Sequence, residues 1–235
     1  NNFEVSLGAI VKIPISWLKE YVDIELSPTD LGHRLTMAGT EVGNIQVIGG
    51  FWGEVYVGRV LEISPHPNAD RLRLATVDLG SEEITVVCGA PDVAADQMIA
   101  FARVGAKLID SRTGELETLR TAKIRGVDSS GMVCSERELG LGDDHTGILV
   151  LPANAPIGTS LSEYMGDVVF DLDVTPNRPD CLSVLGVARE VAALTGKIVN
   201  EPDADYSETG DEIESLVSVD IADADLCRRY TATIL

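Results

Sequence analysis

Lys123 and Arg125 stand two residues apart in the run KIRG, and Ser135 and Arg137 follow on the next segment. On a strand, residues two apart share a face. Two cations with neighbouring hydroxyls on one face can seat a phosphate backbone, because the cations neutralise charge and the hydroxyl donates to oxygen. The same spacing fits an ordinary solvated sheet face. Other groups carry less. His66 lies between two prolines with Asp70 four residues on, but no second histidine or cysteine stands near it in sequence to complete a metal or acid–base pair. Asp143-Asp144-His145 lacks the glycine and glutamate positions of a calcium loop and reads as a polar turn. Nothing marks Cys134 as a nucleophile activated by a base.

The elements that must position these residues follow from patterning. Thr121–Arg125 and Gly131–Ser135 read as short strands joined by a polar turn at Asp128-Ser129-Ser130. Upstream, strand-like runs cover 54–63, 71–79, 84–87, 98–104 and 116–125, with a last one at 148–151. Turn clusters such as Ser64–Asp70 and Gly89–Asp92 separate them. Many short strands over roughly 100 residues fit a small closed barrel or a sandwich, and the few helices between them favour a Greek-key barrel of the oligonucleotide-binding (OB) type.

The flanks are mixed. Ser16 can cap a helix over 17–22, and Ser27-Pro28-Thr29-Asp30 is a stronger helix start, with Leu31, Leu35 and Ala38 on one face and Gly39 at the end. Val168–Val174 alternates as a strand. After the loop Thr175–Pro179, whose Asn177 and Arg178 could touch a partner or tie the loop down, Asp180 can cap a helix over 181–194 that Gly196 ends. The fold class expected is α+β, mostly β: an OB-type barrel inserted into a small α/β domain. The divisions are an extension at 1–11, the first half of the α/β domain at 12–48, the barrel at 49–162, the second half at 163–200, and a linker with a truncated further region at 201–235.

Apolar residues make up 45% and charged residues 24%, values of a water-soluble globular chain. No apolar run reaches the length of a membrane span. The cysteines Cys88, Cys134, Cys181 and Cys227 have no metal-ligand spacing and read as reduced thiols, which points to the cytoplasm. A net charge of −20 argues against a protein that coats nucleic acid without specificity. The acid is uneven, however. Asp and Glu against Lys and Arg count 6 to 3 over 1–48, 16 to 10 over 49–162 and 16 to 5 over 163–235, so any nucleic-acid face belongs to the middle segment.

Several motifs carry a family resemblance. Ile13–Ile24 and Leu35-Thr-Met-Ala-Gly39 look like the start of the bacterial phenylalanyl-tRNA synthetase β subunit. His66-Pro-Asn-Ala-Asp-Arg-Leu-Arg73, Val87-Cys-Gly-Ala-Pro91, Lys123-Ile-Arg-Gly126, Gly131–Ser135 and Glu138–Leu141 resemble its inserted tRNA-binding barrel. Val174–Ser183 and Gly186–Glu190 are similar to the family's return to its first domain, and Arg228–Thr233 to the opening of its editing (B3/B4-like) region. The resemblance implies an α2β2 ligase that joins phenylalanine to its tRNA with ATP and magnesium. It also implies that adenylation and transfer lie on the α subunit and that this portion is non-catalytic.

Within that barrel the RNA-facing candidates are Arg71, Arg73, Lys123, Arg125 and Ser135, with Arg103 weaker. Ion pairing with carboxylates such as Asp70 and Glu136 is the alternative for each. Only Phe51, Trp52, Tyr56 and Phe101 are aromatic in 49–162, so base stacking should contribute little. A free-standing tRNA-binding barrel and an assembly scaffold with no RNA affinity are the competing readings.

Overall fold

Ser27 opens the first long helix as its sequence predicts: its hydroxyl accepts the Asp30 N–H at 3.1 Å and Pro28 takes the first helical position. The computed structural model describes residues 9–232 except His145, Ala204, Tyr206 and Glu208. In chain order the described elements begin with β1 (Ala9–Pro14), α1 (Ile15–Tyr21), α2 (Pro28–Met37) and β2 (Glu41–Ile48). Next come β3 (Val55–Pro65), β4 (Arg73–Asp78), β5 (Glu83–Cys88), β6 (Met98–Arg103), β7 (Lys107–Ile109) and β8 (Leu116–Thr118). After these follow β9 (Ala122–Ile124), β10 (Val127–Ser129), β11 (Gly131–Val133), β12 (Val150–Leu151), α3 (Leu161–Met165), β13 (Asp167–Val174) and α4 (Val184–Thr195).

Unit 1–200 holds two larger sheets. One is antiparallel in the order β1-β13-β2, with β13 in the middle, and its strands flank the barrel segment in sequence. The helices α1, α2 and α4 bury their apolar faces on it, and Leu18, Leu31, Leu35, Phe170, Leu172, Val187 and Val191 are sealed in that core. Residues 9–11, read as extension from patterning, pair with Val174, Asp173 and Leu172 and so form the first half of β1.

Two helix starts differ from expectation. Ser16 lies inside α1, which has Pro14 at its cap position; the Ser16 amide and hydroxyl instead bond the Asp167 carboxylate, at 3.1 and 2.5 Å. Asp180 falls in a 3-10 turn at Pro179–Leu182, and Ser183 caps α4 by accepting the Gly186 N–H at 3.1 Å. Arg178 holds this turn, reaching the Asp180 carboxylate at 2.8 Å and Glu190 at 2.7 Å. That guanidinium, hydrogen-bonded to Asp180, lowers its carboxyl pKa to about 2. Gly196 closes α4 at φ +70°.

The other sheet is a nearly closed antiparallel barrel, ordered β11-β6-β3-β4-β5, with β12 also on β6 and β11 lying beside β5. Strand order makes β3, β4, β5, β6 and β11 the five barrel strands of the OB type. Strand β6 is apolar without alternation because both its faces are buried: Ile99 and Phe101 face one core, Met98, Ala100 and Ala102 another. The second core is closed by Trp52, whose indole N–H donates to the Leu139 carbonyl at 2.9 Å.

Residues 201–232 are a separate unit, mostly irregular and exposed, with a short 3-10 turn at Ile213–Ser215. Residues 229–232 form no strand.

Gly131 begins β11 directly over the buried Phe101 ring, and an added Cβ would also meet the Ala102 carbonyl at 2.9 Å. Gly131→Ala should therefore destabilise unit 1–200 by about 1–3 kcal/mol through overpacking, read from the urea midpoint.

Candidate nucleic-acid interface

Between β3 and β4 the chain turns through 66–72, and between β6 and β11 it makes two small hairpins, β7–β8 and β9–β10. In an OB barrel the loop between strands one and two and the connection between strands four and five flank the oligonucleotide-binding face. The run 116–125, expected as one strand, is instead divided. Leu119 bonds back to Ala106 and Gly105, ending the first hairpin, and β9 starts the second. Arg125 and Gly126 form the β9–β10 turn at φ +49° and +93°, both positive as in a two-residue type I′ hairpin. Asp128 and Ser129 therefore lie in a strand, and Arg125 does not share a strand face with Lys123.

The loop and this hairpin are bonded together. His66 is buried; its Nε2 donates to the Ile124 carbonyl at 3.2 Å while Nδ1 accepts the Asn68 N–H at 3.1 Å. A carbonyl can only accept and an amide N–H only donate, so these partners select the neutral Nε2–H tautomer. The Asn68 side-chain amide donates to the Arg125 carbonyl at 3.0 Å. On the far side, the buried Ser129 hydroxyl accepts the Val87 N–H at 3.1 Å and donates to the Gly131 carbonyl at 3.2 Å. Both nitrogens of His66 are thus occupied by backbone, which leaves no lone pair for a metal.

Four of the six candidate cation and hydroxyl positions come together at this end of the barrel. Arg71 is exposed in the loop, and Arg73 is exposed at the start of β4, where it reaches the Val93 carbonyl at 3.3 Å. Lys123 and Arg125 are exposed on the hairpin. None of the four forms an ion pair with a described residue, Asp70 and Glu136 included.

The other two candidates are engaged internally. Arg103 pairs with Glu82, and its guanidinium stacks 4.8 Å above the Tyr56 ring, so it bridges strands away from the loop. Ser135 is buried; its amide and hydroxyl both donate to Glu138, at 2.6 and 2.7 Å, which folds the turn after β11. Sequence reasoning missed His66, Asn68 and Ser129 as parts of this site. Both His66 and Ser129 stand in runs that read as polar turns, and their partners lie in distant segments, so the local pattern carried no signal of their burial.

The chemistry of the site is electrostatic. Burial pushes the Cys134 thiol far up and that of Cys88 up, which holds both in the protonated form. Among the described residues no group of three His, Cys, Asp or Glu side chains could hold a metal ion. Among the described residues no helix is long and apolar enough to cross a membrane. Trp52 and Phe101 are sealed in the cores, Phe51 packs edge-on against Trp52, and Tyr56 carries Arg103. The barrel aromatics are therefore committed to internal contacts, and what remains outward is charge that can meet phosphate.

The family described as "Putative tRNA binding domain" matches residues 55–160, the barrel segment. The chain is 49% identical over 225 residues to the phenylalanine–tRNA ligase beta subunit of Dehalococcoides mccartyi (strain ATCC BAA-2266 / KCTC 15142 / 195), covering 96% of this chain and 28% of that protein. It is 44% identical over 227 residues to the beta subunit of Syntrophus aciditrophicus, with the same two coverages. The Fusobacterium nucleatum beta subunit matches at 43% over 226 residues, 95% of this chain and 28% of that one. The chain thus spans under a third of the length of these curated relatives.

The buried Ser135–Glu138 bond gives a direct check of which candidates are structural. Ser135→Ala should lower stability by about 1 kcal/mol, seen in urea unfolding, and leave any affinity for RNA unchanged.

Proposed function

The chain is homologous to the N-terminal part of phenylalanine–tRNA ligase β subunits, and from that premise we propose that its barrel gives the whole enzyme an auxiliary grip on phenylalanine tRNA. The observation that carries this reading is the cationic rim: Arg71, Arg73, Lys123 and Arg125, exposed at one end of the barrel with no carboxylate partner among the described residues. The rim neutralises phosphates and follows backbone shape, and with the aromatics turned inward it does not select a base sequence. Arg103 and Ser135 support the fold and take no part.

On this reading the α/β halves at 12–48 and 163–200 carry the barrel of 49–162 as an insert, and 201–235 is a linker with the start of an editing region. The partners are the α subunit, in an α2β2 assembly in the cytoplasm, and tRNA. Magnesium and ATP belong to the charging reaction of the whole enzyme. No described cluster here fits a metal, and no chemical step is assigned to this portion. A free-standing barrel is the weaker reading, because the relatives match 95–96% of the chain, flanking domain included.

Titration of labelled tRNA against the chain at several salt concentrations tests the proposal. Four phosphate contacts give a log–log slope of about −3, and alanine at Arg71 or Lys123 makes it shallower by about 0.75 each, equally for tRNAs of other sequences. Absence of binding at low salt, or a flat salt dependence, would leave the scaffold reading in its place.

A further inference from the structure

The β9–β10 hairpin has no obvious means of staying where it is. Its strands are three residues each, they pair only with one another, and they belong to neither of the larger sheets. An isolated two-stranded ribbon is marginal in water. Its side chains supply little burial either: Ala122, Lys123, Arg125, Gly126 and Asp128 are exposed, and Ile124 and Val127 are only half-buried. Yet this ribbon carries half the cations of the rim.

Three polar side chains outside the cationic set hold it. His66 takes the Ile124 carbonyl, Asn68 takes the Arg125 carbonyl at the turn, and Ser129 joins the root of the hairpin to β5 and β11. His66 and Ser129 are 5% and 4% exposed, at positions where an apolar residue would cost less unless the polar atoms had a specific task. Because His66 also accepts the Asn68 N–H, the imidazole sets the loop and grips the hairpin at once.

We infer that His66 and Asn68 are positioning residues of the RNA grip: they couple the 66–73 loop to the 122–129 hairpin, so that Arg71, Arg73, Lys123 and Arg125 meet the phosphate backbone as one preset unit. The inference takes the RNA reading above as given for what the cations do, and adds what makes them act together. Neither residue touches RNA. Without them the hairpin moves independently, and its two cations lose their register with the loop pair.

Hydrogen exchange and tRNA titration on the 235-residue chain test this, with His66→Ala, Asn68→Ala, His66→Gln and the Lys123→Ala/Arg125→Ala pair. Loss of a hydrogen bond to the hairpin should speed exchange of the 122–129 amides about fivefold or more in both alanine variants, with β3, β4 and β6 unchanged. The salt slope should become shallower by about 1.5, the share of two cations. In the His66→Ala background the Lys123→Ala/Arg125→Ala pair should then change the slope no further. His66→Gln keeps an N–H for the Ile124 carbonyl and should restore protection and slope together. Asn68→Ala removes one bond from an exposed loop residue, so it reports even where His66→Ala disturbs folding.

A hairpin that stays protected in both alanine variants overturns the anchoring and leaves the RNA reading intact. A full effect of the hairpin pair in the His66→Ala background overturns the coupling. An unsubstituted chain that fails to bind tRNA, with the hairpin still released by the substitutions, overturns the RNA reading and keeps the anchoring.

Discussion

Strand β6 is buried on both faces, and much of the barrel's geometry depends on that constraint. Ile99 and Phe101 fill one core while Met98, Ala100 and Ala102 back onto Trp52, Leu139 and Leu161 in the other. Each large apolar side chain so buried contributes about 1.5–3 kcal/mol, and the small alanines let the neighbouring layer approach. The same strand pairs with β3, β11 and β12. Its register with β11 sets Gly131 over Phe101, and this fixes where the chain emerges from the β9–β10 hairpin. The cationic rim thus stands on a rigid root.

Electrostatics bounds what that rim can do. A chain of net charge −20 repels nucleic acid over most of its surface, so contact is confined to the few places where cations face outward unpaired. Several positive groups elsewhere are neutralised at home: Lys12 by Asp171, Lys197 by Asp23 and Glu25, Arg178 by Asp180 and Glu190. A small cationic area on an acidic body favours one orientation of a polyanion over all others.

Where a feature is encoded by neighbours in the chain, the sequence alone reveals it. Ser27-Pro28 and Gly196 announce helix ends because caps act within three or four residues, and the alternating runs of β3, β4 and β13 announce strands because burial follows the pleat. Features that depend on distant partners stay hidden. Ser16 has the look of a cap, but Asp167, far along the chain, supplies its acceptor. Asp180 and Ser183 are both good caps locally, and Arg178 with Glu190 engages the first while α4 uses the second. The division of 116–125 into two hairpins follows from bonds of Leu119 to Gly105 and Ala106, which no periodicity encodes. The candidate cations divide the same way. Lys123 and Arg71 are legible as exposed charge, whereas the engagement of Arg103 and Ser135 depends on Glu82, Tyr56 and Glu138.

The turn at Arg125 has a cost that bears on how this barrel can be altered. A left-handed conformation at φ +49° costs a residue with a Cβ about 1–2 kcal/mol, and asparagine or glycine would occupy it with less strain. The turn therefore sets conformational stability against charge at a single position. Variants selected for heat resistance should drift toward asparagine or glycine there and give up a cation, while, on the reading proposed above, those selected for RNA affinity should keep the arginine and tolerate a looser fold. Such opposition between two selective pressures at one residue is the pattern expected of a site whose backbone was fitted to a task other than its own stability.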